Sequence, residues 1–142
     1  MNSPSAVMTD ADREFLRRPL HGFFSTAAGP TPAQPRPVWF ELTADDTVAL
    51  FTDPATVKIR RLAADPRASL VVAAPVGERE RWVSVSGPAT VSADGADELV
   101  VRLAERYWDR NDPVRARDLA DMLTQEWVRI VIHPVKVSRD LM

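Results

Sequence analysis

The sequence predicts a mainly β domain, an antiparallel barrel with helices inserted between its strands. Three observations carry that expectation. Six runs rich in β-branched and aromatic residues recur along the chain, and several alternate apolar with polar side chains as half-buried strands do. Segments with apolar residues at helical spacing interrupt them, in the order helix, three strands, helix, two strands, two helices, strand. The 142 residues, 45% of them hydrophobic, suffice for one core and are too few for two domains.

Taken in order, residues 1–8 read as a flexible leader and residues 9–142 as the domain. Thr9 to Arg18 makes a short helix: Thr9 caps it, Asp10 and Asp12 suit its positive end, Phe15 and Leu16 form an apolar edge, and Pro19 ends it. Its expected role is to cover a barrel end. Gly22 to Ala28 is a strand, followed by a stretch from Gly29 to Pro35 whose prolines bar it from a sheet interior. Val38–Leu42 and Thr47–Thr52 form a hairpin around the turn residues Thr43-Ala-Asp-Asp. Asp53 is expected to cap a helix with Pro54 at its first position, running to about Asp65 and turning Ile59, Leu62 and Ala63 to the core.

Ser69–Ala74 and Trp82–Ser92 are the next strands, the second bent where Gly87-Pro88 interrupts its alternation. Asp94–Asp109 carries Leu99, Val100, Leu103 and Tyr107 at helical intervals, and Pro113–Thr124 carries Val114, Leu119, Met122 and Leu123. Trp127–Val137 closes the chain as one strand that tolerates Pro134, with Val128, Ile130 and Ile132 on the face opposite Arg129, Val131 and His133.

Composition removes several function classes. With 18 basic against 20 acidic residues the chain lacks the broad positive field of a nucleic-acid-binding domain, so no nucleic-acid partner is expected and any positive site is local. There is no cysteine, so disulfide and thiol chemistry are excluded. No apolar run approaches the roughly 20 residues of a membrane span. The first residues lack a basic segment followed by an apolar one, which makes the cytoplasm the expected location. Two isolated histidines, His21 and His133, offer no metal-ligand spacing, and neither is assigned a catalytic role. Ser84-Val-Ser-Gly lacks the leading glycine and the strand-to-helix turn of a nucleophile elbow.

The informative stretch is Leu50-Phe-Thr-Asp-Pro-Ala-Thr-Val-Lys-Ile-Arg-Arg-Leu, a strand running into a helix whose first turns carry Thr56, Lys58, Arg60 and Arg61. Helix N-termini present unpaired N–H groups and a positive dipole end, so a hydroxyl and several cations added there suit a phosphate. The competing reading is a solvated face whose arginines pair with acids.

Context comes from a resemblance. Gly22-Phe-Phe-Ser-Thr, Pro37-Val-Trp-Phe, Leu50-Phe-Thr with Thr56-Val-Lys-Ile-Arg-Arg-Leu, Asp65-Pro-Arg-Ala-Ser-Leu and Trp82-Val-Ser-Val-Ser-Gly follow one another in order across about residues 10 to 138. Together they resemble the pyridoxamine 5′-phosphate oxidase-like split barrels that bind a flavin or the deazaflavin coenzyme F420, most of all the deazaflavin-dependent branch. The resemblance implies a six-stranded split barrel, paired as a homodimer with its cofactor sites at the subunit interface. It implies that Lys58, Thr56 and Arg60 hold the cofactor phosphate, that Pro37, Val38 and Trp39 border the ring, and that Thr52 contacts the chain between them.

Two departures from the family pattern stand out. Arg61 replaces the usual asparagine beside the phosphate site and either meets a longer anionic tail or faces water. Arg36, after Pro35, replaces a small hydroxyl or apolar residue just before Pro-Val-Trp-Phe. The reading implied is hydride transfer from reduced F420 to an unsaturated small molecule such as a quinone or enone, the cofactor performing the difficult step. The alternatives are an FMN-binding oxidoreductase of the same fold and a non-catalytic cofactor- or haem-binding protein. Haem would need His21 or His133 as its axial ligand.

Overall fold

The structure is a computed structural model in which residues 8–27 and 32–141 are described. The expected leader apart from Met8, and the first half of the proline-rich loop, lie outside the described residues. Met8 itself is buried in the core.

Helix α1 (Asp10–Leu16) has the expected start, with a reciprocal capping box in which Thr9 Oγ1 accepts from the Asp12 N–H and Asp12 accepts from the Thr9 N–H. Phe15 and Leu16 are fully buried, so the helix plugs the barrel as its apolar edge requires. Strands β1 (Gly22–Thr26), β2 (Arg36–Val38), β3 (Glu41–Leu42), β4 (Val48–Thr52), β5 (Arg67–Ala73), β6 (Arg81–Ser92), β7 (Val128–Ile132) and β8 (Lys136–Leu141) pair antiparallel. Their order is β2-β1-β5-β6-β7-β4-β3, with β8 also on β6. The architecture is the mainly β split barrel that was expected.

Strand β6 divides the barrel. Its partner β5 runs along one edge, while the other edge carries β8 opposite Arg81–Ser86 and β7 opposite Ala89–Ser92. The switch falls at Gly87-Pro88, where the His133 N–H bonds the Pro88 carbonyl at 2.9 Å and the Val135 N–H bonds the Ser86 carbonyl at 2.8 Å. Alternate residues of the strands then fill one interior, among them Phe24, Leu50, Leu70, Val83, Val85 and Ile130. On the outside of β4 and β7, helix α3 (Ala96–Tyr107) lays Leu99 and Leu103 against Ala49, with Trp39, Phe51 and Val131 around them.

Several local expectations needed correction. The last expected strand is two, because His133-Pro134 turns the chain between β7 and β8. The second is also two, broken at Trp39 and Phe40. There the Phe40 N–H bonds the Tyr107 hydroxyl at 3.3 Å instead of a neighbouring strand, and that hydroxyl donates to the Leu20 carbonyl at 2.7 Å. Tyr107→Phe is therefore expected to cost about 1–2 kcal/mol, read as a lower urea midpoint, since it strips a partner from a buried segment.

Helix α2 (Val57–Ala64) starts later than expected, with Thr56 and not Asp53 at the position before its first turn. Asp53 is spent on the preceding turn, its carboxylate accepting from the Ala55 N–H at 2.8 Å. Leu62 is buried and Ile59 packs against the core, but Ala63, about 100° around the helix from Leu62, is exposed. Helix α4 (Pro113–Met122) begins at Pro113 after an Asp112 cap, yet buries none of its residues; Val114 stays exposed.

Candidate functional site

Helix α2 and strand β2 build the site. The Thr56 hydroxyl makes no cap bond and lies 3.4 Å from that of Thr52, so it leaves the first α2 N–H groups to other partners. One turn of α2 then sets Lys58 and Arg61 on the same face, three residues apart. Opposite them β2 presents Arg36 and Pro37. The result is a cleft of about 530 Å³ lined by these residues and by Thr56, with Phe24 and Thr26 of β1 as its floor.

A second cleft, of about 430 Å³, opens beside it and shares Pro37 and Lys58 with the first. Its walls are aromatic: Trp39, Phe51 and Trp108, with His21 at the rim. The Trp39 ring stacks on Tyr107 at 5.2 Å and 7° and meets the edge of Trp108 at 4.8 Å. Phe51 packs edge-on against Trp127, whose indole N–H is held by the Met122 carbonyl at 2.7 Å. Each ring packs against another.

The electrostatics are one-sided. Arg36, Lys58 and Arg61 line the first cleft, and among the described residues no carboxylate lines it and none of the three has an acidic partner. The Arg36 guanidinium is held by neutral acceptors, Gln34 Oε1 at 2.9 Å and the Pro35 carbonyl at 3.2 Å, so its charge is oriented and not cancelled. Burial, and then the positive charge of Arg36, hold the Lys58 ammonium below the ordinary lysine range. An anion in the cleft would reverse that penalty.

Of the residues singled out from sequence, Lys58, Thr56, Arg61 and Pro37 line the cationic cleft, and Val38 and Trp39 line the aromatic one. Thr52 is buried, its hydroxyl 3.4 Å from that of Thr56. Arg60 lies in neither cleft; it is exposed and folds back onto the Ala55 carbonyl at 3.3 Å. Phe51, Trp108 and Met122 were not anticipated as lining residues. Phe51 had a signal, since it points opposite the buried Leu50 on β4, whereas Trp108 and Met122 arrive from the ends of α3 and α4 with no local mark. His133 sits apart, its Nε2 3.2 Å from the Thr90 hydroxyl.

The donor set fits a planar ring carrying an anionic tail: apolar aromatic walls for the first, uncompensated cations for the second, and one lysine shared between them. Among the described residues no group of three His, Asp or Glu side chains could hold a metal ion, and no helix is long and apolar enough to cross a membrane.

Comparison with known proteins agrees with the architecture. The fold is similar to that of a conserved hypothetical protein from Mycobacterium tuberculosis, with a TM-score of 0.74 and 21% identity over 95% of this chain and 86% of that one. It is similar to a structure described as an F420 reductase, with a TM-score of 0.67 and 21% identity over 88% and 94% of the two chains. A FAD-binding protein from Mycobacterium smegmatis matches with a TM-score of 0.59 and 14% identity over 95% and 98%. No curated protein matches in sequence. The family model for pyridoxamine 5′-phosphate oxidase matches residues 8–136, nearly the whole chain, and on that match the protein belongs to the pyridoxamine 5′-phosphate oxidase-like split-barrel family.

Proposed function

We propose that the protein is an oxidoreductase that binds coenzyme F420 along the two joined clefts and serves the reduction of an unsaturated, quinone- or enone-like small molecule. The observation that carries this is the position of Lys58, the cation shared by an aromatic-walled cleft and a cationic one. Lys58, the Thr56 hydroxyl and the first α2 N–H groups would hold the cofactor phosphate. Pro37, Val38 and Trp39 would border the ring, and Phe51 and Trp108 keep water from that face. When bound, the reduced deazaflavin supplies the hydride. The chain's own contribution is therefore to bind, to orient and to exclude water.

Both clefts are open to solvent on one side, and a second copy of the chain supplies the missing wall in this reading. Phe23, 42% exposed on the outer face of β1, is the kind of apolar side chain such a contact would cover. Light scattering on the purified protein should give the mass of a dimer.

Titration with F420 and, separately, with FMN tests the assignment, followed by tryptophan fluorescence because Trp39 and Trp108 line the ring cleft. F420 is expected to bind more tightly. Preference for FMN would favour the second reading, a flavin enzyme, which the FAD-binding neighbour keeps in view. A Soret band on the purified protein with no response to either coenzyme would instead support a haem carrier, with His21 or His133, each at the edge of a cleft, as its axial ligand.

Lys58→Ala should weaken coenzyme binding by about 1.5–3 kcal/mol with unfolding unchanged, as loss of one charge-assisted contact does. The pH dependence has a definite sign. The cation is lost as pH rises through the lowered Lys58 pKa, so affinity should fall on the alkaline side before the ordinary lysine range is reached. Calorimetry across that range in wild type and Lys58→Arg, which stays charged, checks it.

A further inference from the structure

We infer that Arg36 and Arg61 form a second anion subsite, beyond the one at Lys58, which selects ligands carrying a further anionic group past the first phosphate. This rests on the cofactor reading for the place of the first phosphate and goes beyond it in assigning specificity. The geometry is that of a line. Lys58 and Pro37 belong to both clefts, whereas Arg36, Gln34 and Arg61 line only the cationic one. A ligand with its ring in the aromatic cleft and a phosphate at Lys58 therefore continues toward the two arginines, away from the ring.

Charge counting supports a second group. The cationic cleft gathers the charges of Arg36, Lys58 and Arg61 with no carboxylate among the described residues of its lining. A phosphate monoester brings about −1.5 to −2, and a diester brings less, so one phosphate leaves positive charge uncompensated in a partly desolvated site. Gln34 and the Pro35 carbonyl hold the Arg36 guanidinium by neutral acceptors, which fixes its direction without satisfying its charge. Arg61 stands one helical turn from Lys58 on α2 and has no acidic partner among the described residues, so both arginines are available to an anion. Guanidinium groups suit planar carboxylates and phosphates equally, by paired donors. The shared chemistry is thus a second anionic oxygen group, from either a diphosphate or a carboxylate-bearing tail.

Calorimetry of the full chain with inorganic pyrophosphate and with orthophosphate tests the subsite without any cofactor. Pyrophosphate should bind about tenfold or more tighter than orthophosphate. Arg36→Gln and Arg61→Asn should each weaken pyrophosphate several-fold more than orthophosphate and so erode that preference, and Lys58→Ala should weaken both ions. Equal affinity for the two ions, or arginine variants that weaken both alike, would overturn the inference. FMN against FAD, and F420 with and without its glutamate extension, then separate the diphosphate source from the carboxylate one. A pyrophosphate preference with no binding of any of these coenzymes would leave the subsite standing and remove the cofactor reading; coenzyme binding indifferent to the arginine variants would do the reverse.

Discussion

Gly87→Ala is expected to lose upward of about 4 kcal/mol of stability, most of what a marginal domain has. A Cβ on Gly87 would overlap the His133 carbonyl oxygen and lie 2.9 Å from its carbon and 3.0 Å from the Val135 nitrogen. Those atoms are backbone, in the turn that carries the chain from β7 to β8, and that turn is itself bonded to Pro88 and Ser86 on either side of Gly87. Neither element can move away without breaking the pairing that joins the two halves of the barrel. Gly77→Ala is the control: its φ of +100° makes alanine strained, but nothing lies within 4 Å, so it should cost only about 1–2 kcal/mol. Thermal and urea unfolding of the two variants give the comparison. A Gly87→Ala protein as stable as Gly77→Ala would mean that the β6 crossing is looser than its contacts require.

The second large effect is expected at Asp12, whose side chain is 1% exposed although charged. Arg139 of β8 grips it with two donors, Nε to Oδ1 at 2.9 Å and Nη2 to Oδ2 at 2.7 Å, while the same carboxylate completes the α1 capping box. Asp12→Ala should therefore cost about 3 kcal/mol: somewhat less than a fully buried pair, because the Arg139 side chain keeps 20% exposure, plus the lost cap. Burial pushes the Asp12 carboxyl up, but the hydrogen bonds from Arg139 and Thr9 outweigh it, and the net position is below the ordinary carboxylate range.

The sign of the pH effect follows from that. With the folded pKa below the unfolded one, the unfolded chain holds more protons between the two values, so stability rises with pH across that window. The contribution is fully present above the ordinary carboxylate range and is lost as pH falls through the depressed value. Acid titration of unfolding should show a gentler slope in Asp12→Asn than in wild type.

Much of the fold was legible because its causes are local. The Thr9 cap, the alternation of Val83 and Val85 and the Asp112-Pro113 start of α4 each depend on residues a few positions apart, whereas the expected interruption at Gly87-Pro88 is absent: β6 alternates straight through it and only its partner changes there. The cations of α2 were legible for the same reason: the spacing of Lys58 and Arg61 follows from helical pitch alone. Where distant groups competed, local reading erred. The strand through Trp39 and Phe40 breaks because a tyrosine 67 positions away supplies its hydrogen bond, and the Asp12 pair spans 127 positions.

The candidate site divides along the same line. Residue types and helical pitch determined that a cationic face would lie on α2, and the resemblance implied that Pro37, Val38 and Trp39 lie near it. Only the tertiary structure decided that Arg36 joins that face, that Arg60 leaves it, and that Trp108 and Met122 wall the adjoining cleft. The physical reason is that helical pitch and strand alternation fix which way a side chain points from its own backbone, whereas a cleft exists only where separate elements meet, and closing the barrel sets those meetings.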